Sequence, residues 1–329
     1  MSGSARLLAH AVRRELVPRA PFHFDGTVCK PSYFPGPDTA YRSGVFWQSM
    51  RFEGQALGVR LENCGTVDAP AVALTVYSAA PLEDGLFDRA AEEVATRYGL
   101  DMDTAPFYDG CAGDPILAPV LARWRGTRPS SYTSLYEYLV ISTCLQNATV
   151  RRTVQMMNNL FERYGERIAF DGQDLAAYWE PPAVRAAAED DLRAIKLGYR
   201  AKTLKRQAES FVPGGGAPYL DEAALRRLPT PELKKALLSV YGVGPASVWY
   251  LLFGQFKRCE AFETVAPWEQ KIFSRLLYDR DLVAPRTILE DAEARWGRWK
   301  MLAAHLLFED LFWRHRREPV AWLAELIRL

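Results

Sequence analysis

Two glycines set between helix-forming residues carry the sharpest chemical signal in the chain. In Leu233-Lys-Lys-Ala-Leu-Leu-Ser-Val-Tyr-Gly-Val-Gly-Pro-Ala-Ser-Val-Trp-Tyr-Leu-Leu252, two helical patterns meet at Tyr241-Gly242-Val243-Gly244-Pro245. The glycines permit a tight hairpin, and the backbone N–H groups of Gly242, Val243, Gly244 and Ala246 then point outward with the positive end of the second helix. Such a turn holds a phosphate oxygen without any side-chain charge. An ordinary helix end followed by a Pro-started helix is the competing reading, which a lone Gly-x-Gly does not exclude. A second cluster, Arg193, Lys196, Arg200, Lys202, Lys205 and Arg206, contains no acidic residue and is interrupted by the aromatic of Leu197-Gly198-Tyr199-Arg200-Ala201-Lys202. Phosphate contact is one use for it; a solvated helix face is the plainer one.

Metal and thiol chemistry are poorly served. His305 and His315 have no second ligand on their helical face at metal spacing, so both read as core or surface residues. The five cysteines, Cys29, Cys64, Cys111, Cys144 and Cys259, form no close pairs, which argues against a disulfide scaffold and a clustered metal site and for a reducing cytoplasm.

The elements that must position these residues fall into two halves. With 329 residues, 49% of them hydrophobic, the chain can bury about two domain cores, and disordered and low-complexity classes are excluded. Lys and Arg number 41 against 40 Asp and Glu, so any nucleic-acid face must be local. From Pro21 to Tyr77, runs such as Val45 to Phe52, Ala56 to Leu61 and Ala71 to Tyr77 alternate apolar and polar residues between Gly and Asp/Asn turns, predicting an antiparallel sheet of three to five strands. A helix is expected over 84–99. After about residue 115 the periodicity becomes helical almost to the end, with breaks at Pro129, Gly165, Pro181-Pro182, Gly214 to Gly216, Gly242 to Pro245 and Pro267. The reading is α+β: a mixed domain with a small sheet over 1–115, then an all-helical bundle over 116–329. No flexible linker separates the two.

Arg6, Arg13 and Arg14 among apolar residues make the first twenty residues read as an amphipathic helix, with a transit peptide as the weaker alternative. No apolar run is long enough to span a bilayer. No heptad or long apolar stripe argues for a dimer, so a monomer in the cytoplasm, close to the nucleoid, is expected.

Taken in order, these features resemble the helix-hairpin-helix DNA glycosylase superfamily, near its 3-methyladenine DNA glycosylase II and 8-oxoguanine DNA glycosylase branches. The resemblance covers Pro21-Phe22-His23-Phe24-Asp25, Pro106-Phe107-Tyr108 with Asp114-Pro115, Leu145-Gln146-Asn147, Leu197 to Ala201, the hairpin, and Val265 to Arg275. It implies a helix-hairpin-helix glycosylase bundle and an enzyme that flips a nucleotide out of duplex DNA and fills the gap left behind.

Residue by residue, the resemblance makes Asn147 the plug, with Gln146 beside it, and matches Tyr199 and Arg200 to the wedge against the orphaned base. Tyr199 as a plain core aromatic is the alternative. Glu269 stands where the family carries an aspartate that stabilises the cationic sugar as the base leaves. It keeps the charge but is one methylene longer. Ala246 occupies the place of the nucleophilic lysine of bifunctional relatives, which implies hydrolysis to an abasic site with no strand cutting. Lys202 is a phosphate contact, and a monovalent cation at the hairpin carbonyls near Tyr241 and Val243 is implied by relatives. No organic cofactor is implied, and the iron-sulfur loop of the endonuclease III branch is missing. Trp268, Trp249, Phe107 and Tyr108, with Phe308 and Phe312, are candidates for the wall of the base pocket, although aromatics at helical spacing also serve as core. The partner is double-stranded DNA with a modified base: alkylated or oxidised, or, given the Asp-to-Glu departure, a hypermodified base of foreign DNA such as glucosylated hydroxymethylcytosine. A catalytically silent DNA-binding relative, or a module tethering a nuclease, are the readings of another class.

Overall fold

A strand stands where the sequence predicts an N-terminal helix. The computed structural model describes residues 4–327, so residues 1–3 of that predicted helix and 328–329 of the predicted bundle lie outside the described residues. The chain opens with β1 (Arg6–Leu7) and β2 (His10–Leu16), continues through the short helix α1 (Phe24–Val28), and then forms β3 (Thr39–Arg42), β4 (Val45–Phe52), β5 (Gln55–Asn63) and β6 (Val72–Ser78). The larger sheet is antiparallel and ordered β2-β6-β5-β4-β3. Although Ala11, Arg13, Arg14, Glu15 and Leu16 are good helix formers, the edge of buried β6 needs a partner for its backbone, and pairing from His10 opposite Ser78 to Leu16 opposite Val72 supplies one. β4 and β5 are joined by a two-residue turn at Glu53 and Gly54, both at positive φ (45° and 78°).

Helices follow: α2 (Leu86–Arg97), α3 (Ala105–Cys111), α4 (Ala118–Trp124), α5 (Leu135–Leu145) and α6 (Val150–Tyr164). The second half is then interrupted by a hairpin, β7 (Glu166–Phe170) and β8 (Gln173–Ala177), contrary to the all-helical expectation. Its turn is Asp171-Gly172, both residues again left-handed (φ 48° and 73°). β1 adds in parallel to β7, making a three-stranded sheet ordered β1-β7-β8. This hairpin docks on the large sheet where Gly58 leaves room: a Cβ there would come within 2.6 Å of the Phe170 ring. The chain continues through α7 (Pro181–Ala186), α8 (Glu189–Leu192), α9 (Arg200–Glu209), α10 (Glu222–Arg226), α11 (Thr230–Leu238), α12 (Pro245–Gly254), α13 (Pro267–Tyr278), α14 (Pro285–Trp296), α15 (Lys300–Arg317) and α16 (Ala321–Leu326).

Packing does not break at residue 115. One core gathers the sheet, α2 to α4, the end of α12 and α13 to α15, with Leu57, Val59, Leu74, Val94, Leu302 and Leu306 nearly sealed from solvent. Two smaller cores surround α5, which turns Tyr136, Val140 and Cys144 toward α6 and α9, and Leu135 and Leu139 toward α10 to α12. α5 is therefore the central strut of the helical half. Its start is fixed by a reciprocal cap, with Glu137 N–H donating to Ser134 Oγ at 3.3 Å and Ser134 N–H donating to Glu137 Oε2 at 2.7 Å. No described helix is long and apolar enough to cross a membrane.

Candidate active site

The expected hairpin forms between α11 and α12. Gly242 sits at φ 84°, and Pro245 opens α12 with the φ its ring dictates. Gly244 N–H donates to Ser247 Oγ at 3.0 Å, and Val243 N–H turns back to Val240 O at 3.0 Å. Those two donors are thus engaged within the turn, which leaves the N–H groups of exposed Gly242 and of exposed Ala246 without an acceptor among the described residues, Ala246 in the first turn of α12 where the helix dipole adds to it. At the carbonyls named as cation ligands, Tyr241 O already accepts from Gln207 Nε2 at 3.1 Å.

The loop between α5 and α6 carries Gln146 and Asn147. Asn147 is exposed and left-handed (φ 49°), a conformation asparagine tolerates. Gln146 caps the end of α5, and its Nε2 donates to Gly242 O at 3.0 Å, locking this loop to the hairpin. Tyr199, 60% exposed, lies beside it and donates its hydroxyl to Gln146 O at 3.4 Å. The core alternative for Tyr199 is thereby removed.

Arg200 departs from the expectation of an arginine reading a base edge. It is 7% exposed, its Nε donates to Thr143 O at 3.2 Å, its terminal nitrogen bonds to Gln146 O, and its guanidinium lies 4.6 Å from the centre of the Tyr199 ring. With its donors turned inward to the carbonyls that end α5, it braces the loop and the tyrosine instead. The rest of the basic run divides in the same way. Arg193 pairs with Glu189 and Asp190, and Lys205 Nζ donates to Ala187 O at 2.6 Å. Lys196, Lys202 and Arg206 remain exposed, Arg206 over the Tyr241 ring at 4.4 Å. Asn147, Tyr199, Lys202, Arg206 and the hairpin are thus tied into one surface.

Glu269 occupies the third position of α13. Its Oε2 accepts from the Tyr250 hydroxyl at 2.7 Å and from the Ala266 N–H at 3.1 Å; Oε1 accepts no hydrogen bond from any described residue. Part of this is ordinary helix capping, for which the extra methylene lets the carboxylate bend back over the helix start. Burial raises the Glu269 carboxyl above its usual range, while the two donors oppose the shift by favouring the ionised form. The site therefore holds a poorly hydrated carboxylate fixed by one oxygen, with the other available to a positive charge.

The aromatic candidates separate by accessibility. Trp268 is 43% exposed, adjacent to Glu269, and meets the Phe308 ring edge-on at 5.4 Å. Phe107 has no exposed surface, and Tyr108 donates its hydroxyl inward to Thr127 O at 2.8 Å, so neither presents a face to a ligand. Trp249 is buried among Leu233, Leu237 and Leu252, its ring covered by Lys234 Nζ at 4.0 Å. These three are core residues. Phe312 is likewise buried, stacked on Phe308 at 4.8 Å.

Sequence reasoning missed the residues around Glu269. Tyr250 lies in the second turn of α12, inside the hairpin motif, and a polar tip on an otherwise apolar helix was a signal that could have been read. Tyr138 comes from α5, and only the fold brings it near Glu269.

No protein-family model matches the chain. Among curated proteins, a DNA-3-methyladenine glycosylase of Bacillus subtilis (strain 168) is 23% identical over 238 residues, covering 70% of this chain and 75% of its own. A probable N-glycosylase/DNA lyase of Methanothermobacter thermautotrophicus is 22% identical over 225 residues, covering 63% and 70%. Among solved structures, a 3-methyladenine DNA-glycosylase from Archaeoglobus fulgidus aligns with a TM-score of 0.72 at 17% identity, over 91% of this chain and 98% of its own. The apo form of a Clostridium acetobutylicum 8-oxoguanine glycosylase/lyase aligns with a TM-score of 0.65 at 18% identity, over 92% and 99%. Sheet, helical bundle and hairpin together define an α+β helix-hairpin-helix protein. The chain shares the fold of these solved glycosylases and is similar in sequence to the two curated proteins.

Proposed function

We propose that the protein is a monofunctional DNA glycosylase, which extrudes a modified base from duplex DNA and hydrolyses its N-glycosidic bond to leave an abasic site. The observation that carries this reading is Glu269, a partly buried carboxylate anchored through Oε2 by Tyr250 and Ala266 with Oε1 unengaged, at the head of the helix that follows the hairpin. Duplex DNA as partner is supported by the relatives and by the structural neighbours that carry DNA. In this scheme the Ala246 N–H and the dipole of α12 hold a phosphate, exposed Lys202 and Arg206 add charge beside it, and Asn147 and Tyr199 occupy the gap left by the flipped nucleotide. As the base departs, positive charge develops on the sugar, and the negative charge of Glu269 stabilises it in surroundings of low dielectric. Ala246 offers no amine, so no covalent sugar intermediate forms and water completes the reaction.

The test is strand breakage, with and without alkali, on duplexes with methylated, deaminated or oxidised bases and on phage DNA with hydroxymethylated or glucosylated cytosine. Wild type is expected to give breaks only after alkali, and Glu269→Gln to lower the rate by about 10²-fold or more with duplex binding retained. Breakage without alkali would refute the monofunctional assignment. Unchanged rates in Glu269→Gln would remove the carboxylate from the chemistry, and silence of wild type with binding intact would favour a non-catalytic DNA-binding protein.

A further inference from the structure

Along α9, Arg200, Thr203 and Gln207 recur at steps of three and four, a polar stripe on the face that meets α5 and the hairpin. The stripe runs between two apolar cores. On one side Val140 and Cys144 of α5 pack with Leu204 and Ala208 of α9; on the other, Leu135 and Leu139 of α5 pack with Leu233, Leu237 and Val248. Apolar packing holds such helices together without fixing the exact place of a turn, whereas a fully satisfied buried polar network specifies one arrangement.

Gln207 is the centre of that network. It is 1% exposed, its Oε1 accepts the Thr143 hydroxyl at 3.0 Å, and its Nε2 donates to Tyr241 O at 3.1 Å. The Thr143 hydroxyl can donate or accept, but Tyr241 O only accepts, so the amide nitrogen must face the hairpin. Thr143 stands four residues before Asn147, and its own carbonyl accepts from Arg200 Nε at 3.2 Å. Tyr241 adjoins Gly242, one of the two hairpin residues with an unengaged N–H. A single side-chain amide thus spans the end of the helix that leads into the Asn147 loop and the turn that leads into α12.

We propose, building on the glycosylase reading, that Gln207 is a positioning residue for base extrusion: by bridging Thr143 and Tyr241 it sets the distance between the hairpin and the Asn147–Tyr199 pair. Sealed from solvent, it acts only through the groups it holds. In that reading an undamaged duplex is gripped by the N–H groups of Gly242 and Ala246 with Lys202 and Arg206, none of which needs the plug in register. Extrusion needs both at once, because a plug displaced from the gripped phosphate fills the gap poorly. Loss of the bridge is therefore felt in extrusion and not in grip.

The test reads extrusion apart from excision. Duplexes carrying each modified base of the panel above receive 2-aminopurine as the neighbouring base, whose fluorescence rises when the adjacent base leaves the stack, and the rise is followed under single turnover beside affinity for an undamaged duplex. Gln207→Met keeps length and bulk but has no donor for Tyr241 O. It is expected to lower the extruded fraction about 10-fold, with undamaged-duplex affinity within about 2-fold of wild type. Thr143→Val removes the other end of the bridge at nearly constant shape and gives the same split should Gln207→Met melt early. Gln207→Glu keeps the shape and the acceptor for Thr143. At about pH 8 it is expected to match Gln207→Met, and at about pH 5.5 to regain most of the extrusion that wild type shows at that pH, because a buried acid protonates above its ordinary range and then donates to Tyr241 O as the amide does. Loss of extrusion in step with duplex affinity, no loss, or a Gln207→Glu deficit equal at both pH values would overturn the positioning role while leaving the glycosylase reading standing. No fluorescence rise and no excision by wild type on any duplex of the panel would overturn both.

Discussion

Glu269 is useful because its environment pulls it in two directions. Burial raises its pKa above the ordinary 4.5, and the Tyr250 hydroxyl and Ala266 N–H pull it back by favouring the ionised form. In the proposed mechanism catalysis needs the carboxylate, so the rate is expected to fall as pH drops through a value above the ordinary glutamate range. Tyr250→Phe removes a donor to the ionised form, so the pKa rises further and the acid limb of the single-turnover profile moves to higher pH. The rate lost near pH 6 should be largely recovered near pH 8. A limb that stays in place would show that some other group titrates. Glu269, Tyr199 and Asn147 could be singled out as candidates from local sequence because each belongs to a short motif. Arg200 could not be assigned in the same way: whether an arginine reads a base or braces a loop depends on which carbonyls surround it, and Thr143 and Gln146 come from another helix.

At the scale of elements, the hairpin, the α5–α6 loop and α9 act as one surface because backbone groups of the hairpin are held by side chains of the other two. Gln146 holds Gly242 O and Gln207 holds Tyr241 O, while Thr203 closes on Gly242 so tightly that a Cβ there would come within 2.6 Å of its methyl group. Gly242→Ala adds that clash to a left-handed φ of 84°. It should cost about 1–3 kcal/mol of stability and weaken binding to an undamaged duplex, measured by thermal melting and titration. Unchanged duplex affinity would place the phosphate contact elsewhere. The hairpin was legible because two glycines and a proline fix backbone geometry within five residues. The β7–β8 hairpin carried an equally local signal in Asp171-Gly172, but its strands, Glu-Arg-Ile-Ala-Phe and Gln-Asp-Leu-Ala-Ala, are short and sit among long helical patterns. β2 was misread for a different reason: it is an edge strand whose residues are mostly exposed helix formers, and only its pairing with β6 makes it a strand.

Across the whole molecule, the end of α12 and α13, which carry Tyr250 and Glu269, pack into the same core as the large sheet, so the two halves of the chain must keep a fixed relation. Contacts that hold it include β1 paired with β7, α15 anchored to α4 by Asp310 accepting from Arg123 at 2.8 Å and Trp124 at 2.8 Å, and an ion cluster between α2 and α10. In that cluster Glu93 accepts from Arg226 at 2.7 and 2.9 Å and from Arg97 at 2.7 Å, and Glu222 links Arg226 to the N–H of Leu135 at the head of α5. Burial alone would raise Glu93, but the two guanidiniums outweigh it and hold the carboxyl at about 2. A depressed pKa contributes stability that is complete above the ordinary glutamate value of 4.5 and is lost as pH falls toward 2. Glu93→Gln is therefore expected to cost about 3 kcal/mol near pH 7, where it leaves buried Arg97 and half-buried Arg226 short of a counter-charge. The gap between variant and wild type should close as pH approaches 2. Thermal melts across that range measure it, and a gap independent of pH would mean that Glu93 acts through packing. Because α10 carries the effect to the head of α5, and α5 ends in the Gln146–Asn147 loop, excision should fall in Glu93→Gln even at temperatures where the chain stays folded, whereas unchanged excision there would confine the cluster to stability alone.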